Sequence, residues 1–462
     1  MATKKDLVEA YAFSRRRLVT AFVSGAPGGR EVEPARPGRS VVGGLALGVL
    51  LMAGAAIAGI FTTNVDPAWA EQPGLVVSKE EAAVYVITRS SSDPVLHPVL
   101  NITSAKLILG SDQEPQVIPD SYIDDETIGS DVGIFGAPSD VPDVGRLIPS
   151  GWTGCADGRQ LRLSVSGQDT ATTSPPDAGM LVRVENRRYV VALGRPDDDG
   201  LARAHSYEVP RDRRAENLLR ALGLEDFDAK RVSQEWLDLL PTGGRLDRDA
   251  FGLDVSAPPL DIAEAGRPVP VGAIVTAPDG TAFLATQDGL EVLDEFARRV
   301  YEQGRAERTQ VVELDSAPPP TAGRPTYREA AWPTTTLAQV FGEACLRLVT
   351  DAGSTPRVEV VEDPADGAAA SGSDGLSVSV DDGHGAYVLA GGWDDTDSGQ
   401  PFVVDAKGFA YPLGSVSDAE LLGYADYPVR VVPDPWIELF RPGVELSANA
   451  ALCEPQVEAT GC

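Results

Sequence analysis

The first apolar pattern along the chain is helical. Leu7, Tyr11, Leu18 and Phe22 recur at helical spacing with Arg15, Arg16 and Arg17 between them, and Gly25 and Pro27 end the run. This predicts an amphipathic helix with a basic side, suited to an anionic lipid surface or, through those arginines, to docking a cytoplasmic partner. Gly25 to Arg39 reads as an irregular linker. Val41 to Phe61 follows, 21 residues without a charge, and a helix of about 20 apolar residues crosses the hydrocarbon core. Arg36 and Arg39 precede this run, while Asp66 and Glu71 follow it. The positive-inside rule then puts residues 1–40 in the cytoplasm and 62–462 outside it. A cleaved export signal competes, with "SRRRLV" at its head and Ala68-Trp69-Ala70 at its end. The arginines lie over 20 residues ahead of the apolar run, however, with Glu31 and Glu33 between, so an anchor is expected.

Beyond the span the apolar runs are short and broken by glycine and proline, which predicts strands joined by turns. Two of these stretches match. "GLVVSKEEAAVYVIT" (Gly74–Thr88) aligns without a gap on "GAIVTAPDGTAFLAT" (Gly272–Thr286), with Tyr85 opposite Phe283 and a hairpin signal at Asp279-Gly280. After the second copy, Leu290, Leu293, Phe296 and Val300 mark one face of a helix. Leu222–Gly243 likewise aligns on Leu422–Gly443, pairing Val232 with Val432, Trp236 with Trp436 and Gly243 with Gly443. The tryptophans are expected to pack the closing element of a repeated unit, with the glycines supplying its turn. Val117–Gly129 is a looser third copy with Tyr122 in the aromatic position, and Lys407-Gly408 marks a further hairpin. Four strand-rich units follow, at 74–124, 206–258, 262–312 and 400–450, with a tail at 451–462.

Two segments, 129–205 and 313–395, fall outside these units and are expected to form one central β-rich domain from two pieces. The first contains the β-like run "LVRVENRRYVVAL". The second contains a helix candidate, "TTLAQVFGEACLRL", and β-like "RVEVVE". The fold class expected is α+β, mainly β, with a cytoplasmic helix, one transmembrane helix and an outer body of central domain plus four repeats.

Charge sharpens the topology. Residues 1–61 hold eight lysines and arginines against four acids, a net +4, which leaves 31 against 65 and a net −34 for residues 62–462. Such a body repels nucleic acid, whose binding needs cations to displace counterions. All four cysteines, Cys155, Cys345, Cys453 and Cys462, lie beyond the apolar run, as disulfides of an extracytoplasmic domain would. Zinc is not expected: no Cys-x-x-Cys occurs, and His97, His205 and His384 stand apart from the cysteines. Three pairings are open. If the two central segments share a domain, a Cys155–Cys345 bridge would lock them by closing a loop of 190 residues, worth up to about 5 kcal/mol on the loop-entropy model. Cys453 and Cys462 would then form a local pair.

A phosphate cradle needs Gly-x-x-x-x-Gly-Lys-Ser/Thr, and no Gly-Lys-Ser/Thr occurs; "PTGGRL" (Pro241–Leu246) is the nearest glycine-rich basic turn. Serine-hydrolase chemistry finds no Gly-x-Ser-x-Gly and only three scattered histidines. Asp394–Asp405 has acids at positions 1 and 12 and glycine at 6 of a calcium loop, but Thr396 and Ser398 stand at positions 3 and 5. An acidic surface loop is expected there. No catalytic, metal or cofactor residues are therefore assigned, and ATP is not expected as a cofactor.

The N-terminal stretch to Arg39, the single span, the spaced cysteines, the repeats and the runs "NITSAKLILG" and "WPTTTLAQVFGEACLRL" together resemble one family. The chain resembles EccB, the single-span core component of bacterial type VII (ESX) secretion systems, over nearly its whole length. The resemblance implies an inner-membrane protein with its N-terminus in the cytoplasm and its bulk in the periplasm. It implies a central domain flanked by four repeats, with a disulfide at Cys155 and Cys345, and no role for Cys453 and Cys462. Its implied partners are an FtsK-like ATPase component, a many-span channel component, a further membrane subunit and a second copy, with folded helical proteins as the exported cargo. Some members are described as ATPases, against the missing phosphate cradle. A stand-alone anchored protein binding cell-wall polymer is the remaining reading.

Overall fold

The computed structural model describes residues 4–24 and 65–455, except 67, 158–159, 169–170, 198–199, 225–228, 305–308, 317, 319–323, 341 and 363–374. The apolar run 41–61, Arg36, Arg39 and Cys462 therefore lie outside the described residues. Contacts divide the chain into two units, Met1–Pro67 and Ala68–Cys462. In the first, α1 (Lys4–Ser24) is one continuous helix. Val8, Tyr11, Phe13 and Leu18 on it are exposed, as is Arg15, while the side chains of Arg16 and Arg17 fall outside the described set. Among the described residues no helix is long and apolar enough to cross a membrane.

The second unit is mainly β, with several sheets and short helices. The first sheet comprises β1 (Gly74–Ser78), β2 (Val84–Ile87), β3 (Val95–Pro98), β4 (Gln116–Ile118) and β5 (Thr127–Ile128), in the order β4-β1-β2-β3-β5. Its first three strands form an antiparallel meander; β4 then lies parallel to β1, and β5 parallel to β3. Helix α2 (Ile102–Leu109), capped by the Asn101 side chain on the Ser104 amide, bridges β3 and β4. Helix α3 (Asp120–Ile123) follows β4.

Strands β6 (Trp152–Asp157), β7 (Gln160–Val165) and β8 (Thr172–Thr173) enter a separate sheet. The second meander is β9 (Ala178–Val184), β10 (Arg187–Leu193) and β11 (Ala204–Glu208), with β12 (Lys230–Arg231) parallel to β9. Between β11 and β12 runs α4 (Ala215–Ala221), and α5 (Gln234–Asp238) follows β12. The third is β13 (Ile274–Thr276), β14 (Ala282–Thr286) and β15 (Gly289–Val292), then α6 (Glu295–Gln303) and β16 (Val311–Glu313) parallel to β13. The short β17 (Ala338–Gln339) joins β9. Strands β18 (Ala344–Val349), β19 (Arg357–Glu362) and β20 (Leu376–Val380) complete the six-stranded sheet β20-β7-β6-β18-β19-β8.

The last sheet repeats the plan of the first. Strands β21 (Ala386–Gly391), β22 (Gln400–Val404) and β23 (Phe409–Pro412) form the meander. Next come α7 (Val416–Leu421), β24 (Val431–Pro433), α8 (Asp434–Ile437), β25 (Arg441–Pro442) and α9 (Ala448–Ala451). Here too β24 lies parallel to β21, and β25 parallel to β23. Among the described residues four sheets thus share one strand order, and two distant segments build a fifth.

Several expectations need correction. The six-stranded sheet draws only on residues between 152 and 173 and between 344 and 380. Strands β9, β10 and β21, expected in the central part, belong to the second and fifth sheets. A strand-turn-strand pattern does not show how many strands of a meander precede it, so the expected starts at 206 and 400 fall on the third strand of the second unit, β11, and on the second strand of the last, β22. The helix candidate "TTLAQVFGEACLRL" is instead β17 and β18, because pairing with β6 on one side and β19 on the other outweighs local helix propensity. Leu290 lies in β15; the helix begins at Glu295, where the Asp294 carboxylate accepts from the Ala297 amide and caps it.

Candidate functional site: a tryptophan-lined junction between sheets

Strand β6 alternates its side chains across the six-stranded sheet, as any strand must. One face carries Cys155, which sits opposite Cys345 in the antiparallel register with β18 and is bonded to it, so 190 residues are closed by one cross-strand link. A Glu343 carboxylate oxygen lies within 4.8 Å of both sulfurs, but sulfurs bonded to each other offer no thiolate to a metal. Cys453 is also disulfide-bonded and lies at the end of α9.

The other face of β6 carries Trp152, Gly154 and Ala156, and here three tryptophans meet. Trp152, Trp236 and Trp436 are each 0% exposed and share one core with strands of three sheets. Helix α5 presents Trp236, whose amide the Ser233 hydroxyl caps and whose indole N–H donates to the Gly154 carbonyl at 3.0 Å. Helix α8 presents Trp436, whose indole N–H donates to the Leu239 carbonyl at 3.2 Å. Trp152 donates to the Ile148 carbonyl and meets Phe440 edge-on at 5.4 Å. A buried indole thus keeps both its apolar area and its one donor satisfied. At Gly154 a Cβ would fall 2.7 Å from Leu239 Cδ1 and 3.6 Å from Trp436 Cη2. A side chain there would make the Leu239 methyl shift, while the bare backbone takes both residues as they stand.

The paired glycines do something other than expected. Neither Gly243 nor Gly443 is among the positive-φ glycines. A Cβ at Gly243 would fall 2.2 Å from Tyr207 Cε1, and one at Gly443 2.3 Å from Tyr411 Cδ1. Each glycine is an approach point for the tyrosine of the third strand, and each amide donates to that strand's backbone, at Ser206 and Ala410. Trp236 and Trp436 likewise reach beyond their own units into the six-stranded sheet. Of the other aligned pair, Phe283 is buried in the third sheet's core while Tyr85 is only half-buried. Burial first, then the Glu81, Asp120 and Asp124 carboxylates, push the Tyr85 phenol up.

A second junction joins the second and third sheets through Phe251, Tyr301, Tyr327 and Trp332. Arg195 from the β10–β11 connection pairs there with Asp294. Burial raises the Asp294 carboxyl against the pull of its amide and Arg195 contacts, and burial with Asp294 beside it pushes Tyr327 to about 12. A third junction packs α2 against α7 and α9, and the Tyr424 hydroxyl donates to the Pro142 carbonyl at 2.6 Å.

A cavity of about 1030 Å³ opens beside these junctions. Its arginines, Arg195, Arg203, Arg324 and Arg328, face Asp197, Asp238, Glu329 and Asp394. Four guanidiniums balanced by four carboxylates give a triphosphate no net attraction. His205 lines the same cavity, contacts the Arg203 carbonyl at 2.9 Å and is pushed down to about 4 chiefly by burial, so it is neutral at pH 7. In the loop Asp394–Asp405 the carboxylates serve the backbone: Asp395 accepts from the Gly392 amide and Asp405 from Lys407 and Phe409.

Sequence reasoning missed Trp152, Gly154, Tyr207 and Tyr411. Equal spacing could not have found the tyrosines, since Tyr207 stands 36 residues before Gly243 and Tyr411 stands 32 before Gly443.

Four meanders of one strand order, two of them closed on a central sheet by buried tryptophans and the other two packed on those, define a multi-sheet β protein with an N-terminal helical unit. The family described as type VII secretion system ESX-1, transport TM domain B, matches residues 1–458. The chain belongs to this family, the EccB family of type VII secretion. The ESX-3 secretion system ATPase EccB3 of Mycolicibacterium smegmatis is 26% identical over 463 residues, covering 91% of this chain and 85% of that protein. The ESX-1 secretion system ATPase EccB1 of Mycobacterium tuberculosis is 33% identical over 117 residues, 25% of this chain and 23% of that protein. In fold, the chain resembles the EccB3 dimer structure from the ESX-3 core complex, with a TM-score of 0.59 and 23% identity over 82% of this chain and 100% of that one. The structure of an intact ESX-5 inner membrane complex gives a TM-score of 0.57 and 21% identity, over 100% of this chain and 97% of that one.

Proposed function

We propose that this chain is a membrane-anchored structural subunit of a type VII secretion complex, organising the assembly on the periplasmic side for export of folded helical proteins. Residues 41–61 form its single span, residues 1–40 stay in the cytoplasm, and the four meander units with their central sheet stand in the periplasm. Its partners are the FtsK-like ATPase component, the many-span channel component, a further membrane subunit and a second copy. The dimer and inner-membrane complexes described for its fold relatives support that set. The single observation that carries the structural role is the tryptophan junction. The aromatic residues common to the second and fourth units are wholly buried, where they join sheets and leave nothing to touch a substrate.

Affinity purification of the full-length chain from its own membrane in mild detergent tests the reading. Recovery of the other secretion subunits is expected, and recovery of a lone monomer overturns it. A second reading, an ATP-hydrolysing subunit, is favoured by the names of the relatives. The absent Gly-Lys-Ser/Thr and the charge-balanced cavity speak against it. The purified chain is expected to show neither ATP turnover nor a nucleotide-induced thermal shift; turnover lost on unfolding the chain would establish the second reading.

A further inference from the structure

The first unit carries the counterpart of the tryptophan helices, and among the described residues its aromatic side chain stays half exposed. Helix α3 follows β4 as α5 follows β12 and α8 follows β24. Tyr122 stands where Trp236 and Trp436 stand, yet it is 48% exposed where they are 0%. Two further apolar side chains of the same stretch, Val117 and Ile128, are 49% and 48% exposed. The positions that hold Leu239 and Leu240 in one tryptophan unit, and Leu439 and Phe440 in the other, hold Asp125 and Glu126 here. The face has kept its aromatic centre and exchanged its apolar rim for acids.

Those acids are gathered. Asp120 accepts from the Ser78 hydroxyl, and its amide donates to Glu80 at 2.7 Å. Glu81, Asp120 and Asp124 all lie close enough to raise the half-buried Tyr85 phenol beside them, after burial itself. Residues 78–81 and 117–128 carry six acids, Glu80, Glu81, Asp120, Asp124, Asp125 and Glu126, against one base, Lys79. A two-fold contact between copies would set this face against itself, six acids on six, which is repulsive. An anionic lipid surface is repelled in the same way.

We propose that the Tyr122 face of the first unit is a docking surface for a lysine- or arginine-bearing segment of another protein, with an apolar residue of that segment seated on Tyr122. The sister faces set the mode, an aromatic ring closing on a partner backbone, and the acid rim sets the charge of what closes on it. The inference deepens the scaffold reading and rests on it, since the partner would be another component of the assembly.

The test uses the full-length chain in detergent with two short dye-labelled peptides, one alternating lysine and leucine, the other glutamate and leucine, read by fluorescence anisotropy. The lysine peptide is expected to bind and the glutamate peptide not. Tyr122→Ala, and separately Asp124→Asn/Asp125→Asn/Glu126→Gln, each weaken binding about tenfold. Asp261→Asn/Glu313→Gln/Asp315→Asn removes the same charge from exposed positions of the third unit and shifts binding less than about twofold, as general adsorption screened by salt would. An equal loss from both triple variants, or equal binding of the glutamate peptide, overturns the proposal. So does a dimer that Tyr122→Ala converts to monomer in sedimentation, since a second copy would then occupy the face. Failure of the peptide arm with the secretion subunits still co-purifying sinks this face alone; failure of co-purification sinks the scaffold reading.

Discussion

Helix α8 and helix α3 occupy the same place in two copies of one strand order, and they meet opposite environments. Around Trp436 the chain supplies Ile437, Leu439 and Phe440, all buried, and a strand with a bare glycine to receive the ring. Around Tyr122 it supplies Asp124, Asp125 and Glu126, and the ring stays in solvent. The difference lies in the second and third positions after each helix, Leu439 and Phe440 against Asp125 and Glu126. An apolar rim excludes water and fuses the unit to its neighbour; an acidic rim holds water and leaves the same face for another molecule.

The largest expected effect breaks the first half of this comparison. Trp436→Ala opens a cavity on β6 and is expected to cost about 3–5 kcal/mol by chemical denaturation, and Trp236→Ala a similar amount. The next acts through pH on the body that the tryptophans close. His205, beside the contact between the Arg203 guanidinium and the Trp393 carbonyl, has its proton affinity lowered to about 4. Between its ordinary value of about 6.5 and that value the unfolded chain binds a proton that the folded chain does not. Stability therefore falls as pH drops through this window, by up to about 3 kcal/mol, and His205→Asn flattens the slope in urea unfolding at a series of pH values. Gly154→Ala sets a methyl against Leu239 and is expected to cost about 1–3 kcal/mol as overpacking. Tyr122→Ala is the smallest, below about 0.5 kcal/mol in the same denaturation, because its ring is already solvated.

The sequence carried the repeated tryptophans plainly, because each indole must be buried with its donor satisfied and few residues replace it. It also carried the strands of Gly74–Thr88 and "RVEVVE", whose short runs of β-branched residues bounded by polar turns match β1, β2 and β19. What it could not carry was phase. Two hairpins in succession look alike, so the pattern that marks β22 and β23 does not say that β21 belongs with them. Nor could local pattern reveal that β18 is a strand, since alanine and leucine favour a helix until neighbours on both sides supply ladder partners. The junction was half legible: Trp236 and Trp436 by their repetition, but not Trp152 and Gly154, which occur once and matter only because the two units close on them.

Hydrogen exchange on the full-length chain, alone and in the purified assembly, tests the contrast most directly. Residues 234–240 and 434–440 are expected to exchange slowly in both forms, and residues 119–126 to exchange faster in the isolated chain and slow down in the assembly. Slow exchange at 119–126 in the isolated chain, or fast exchange at the two tryptophan helices, would contradict the account.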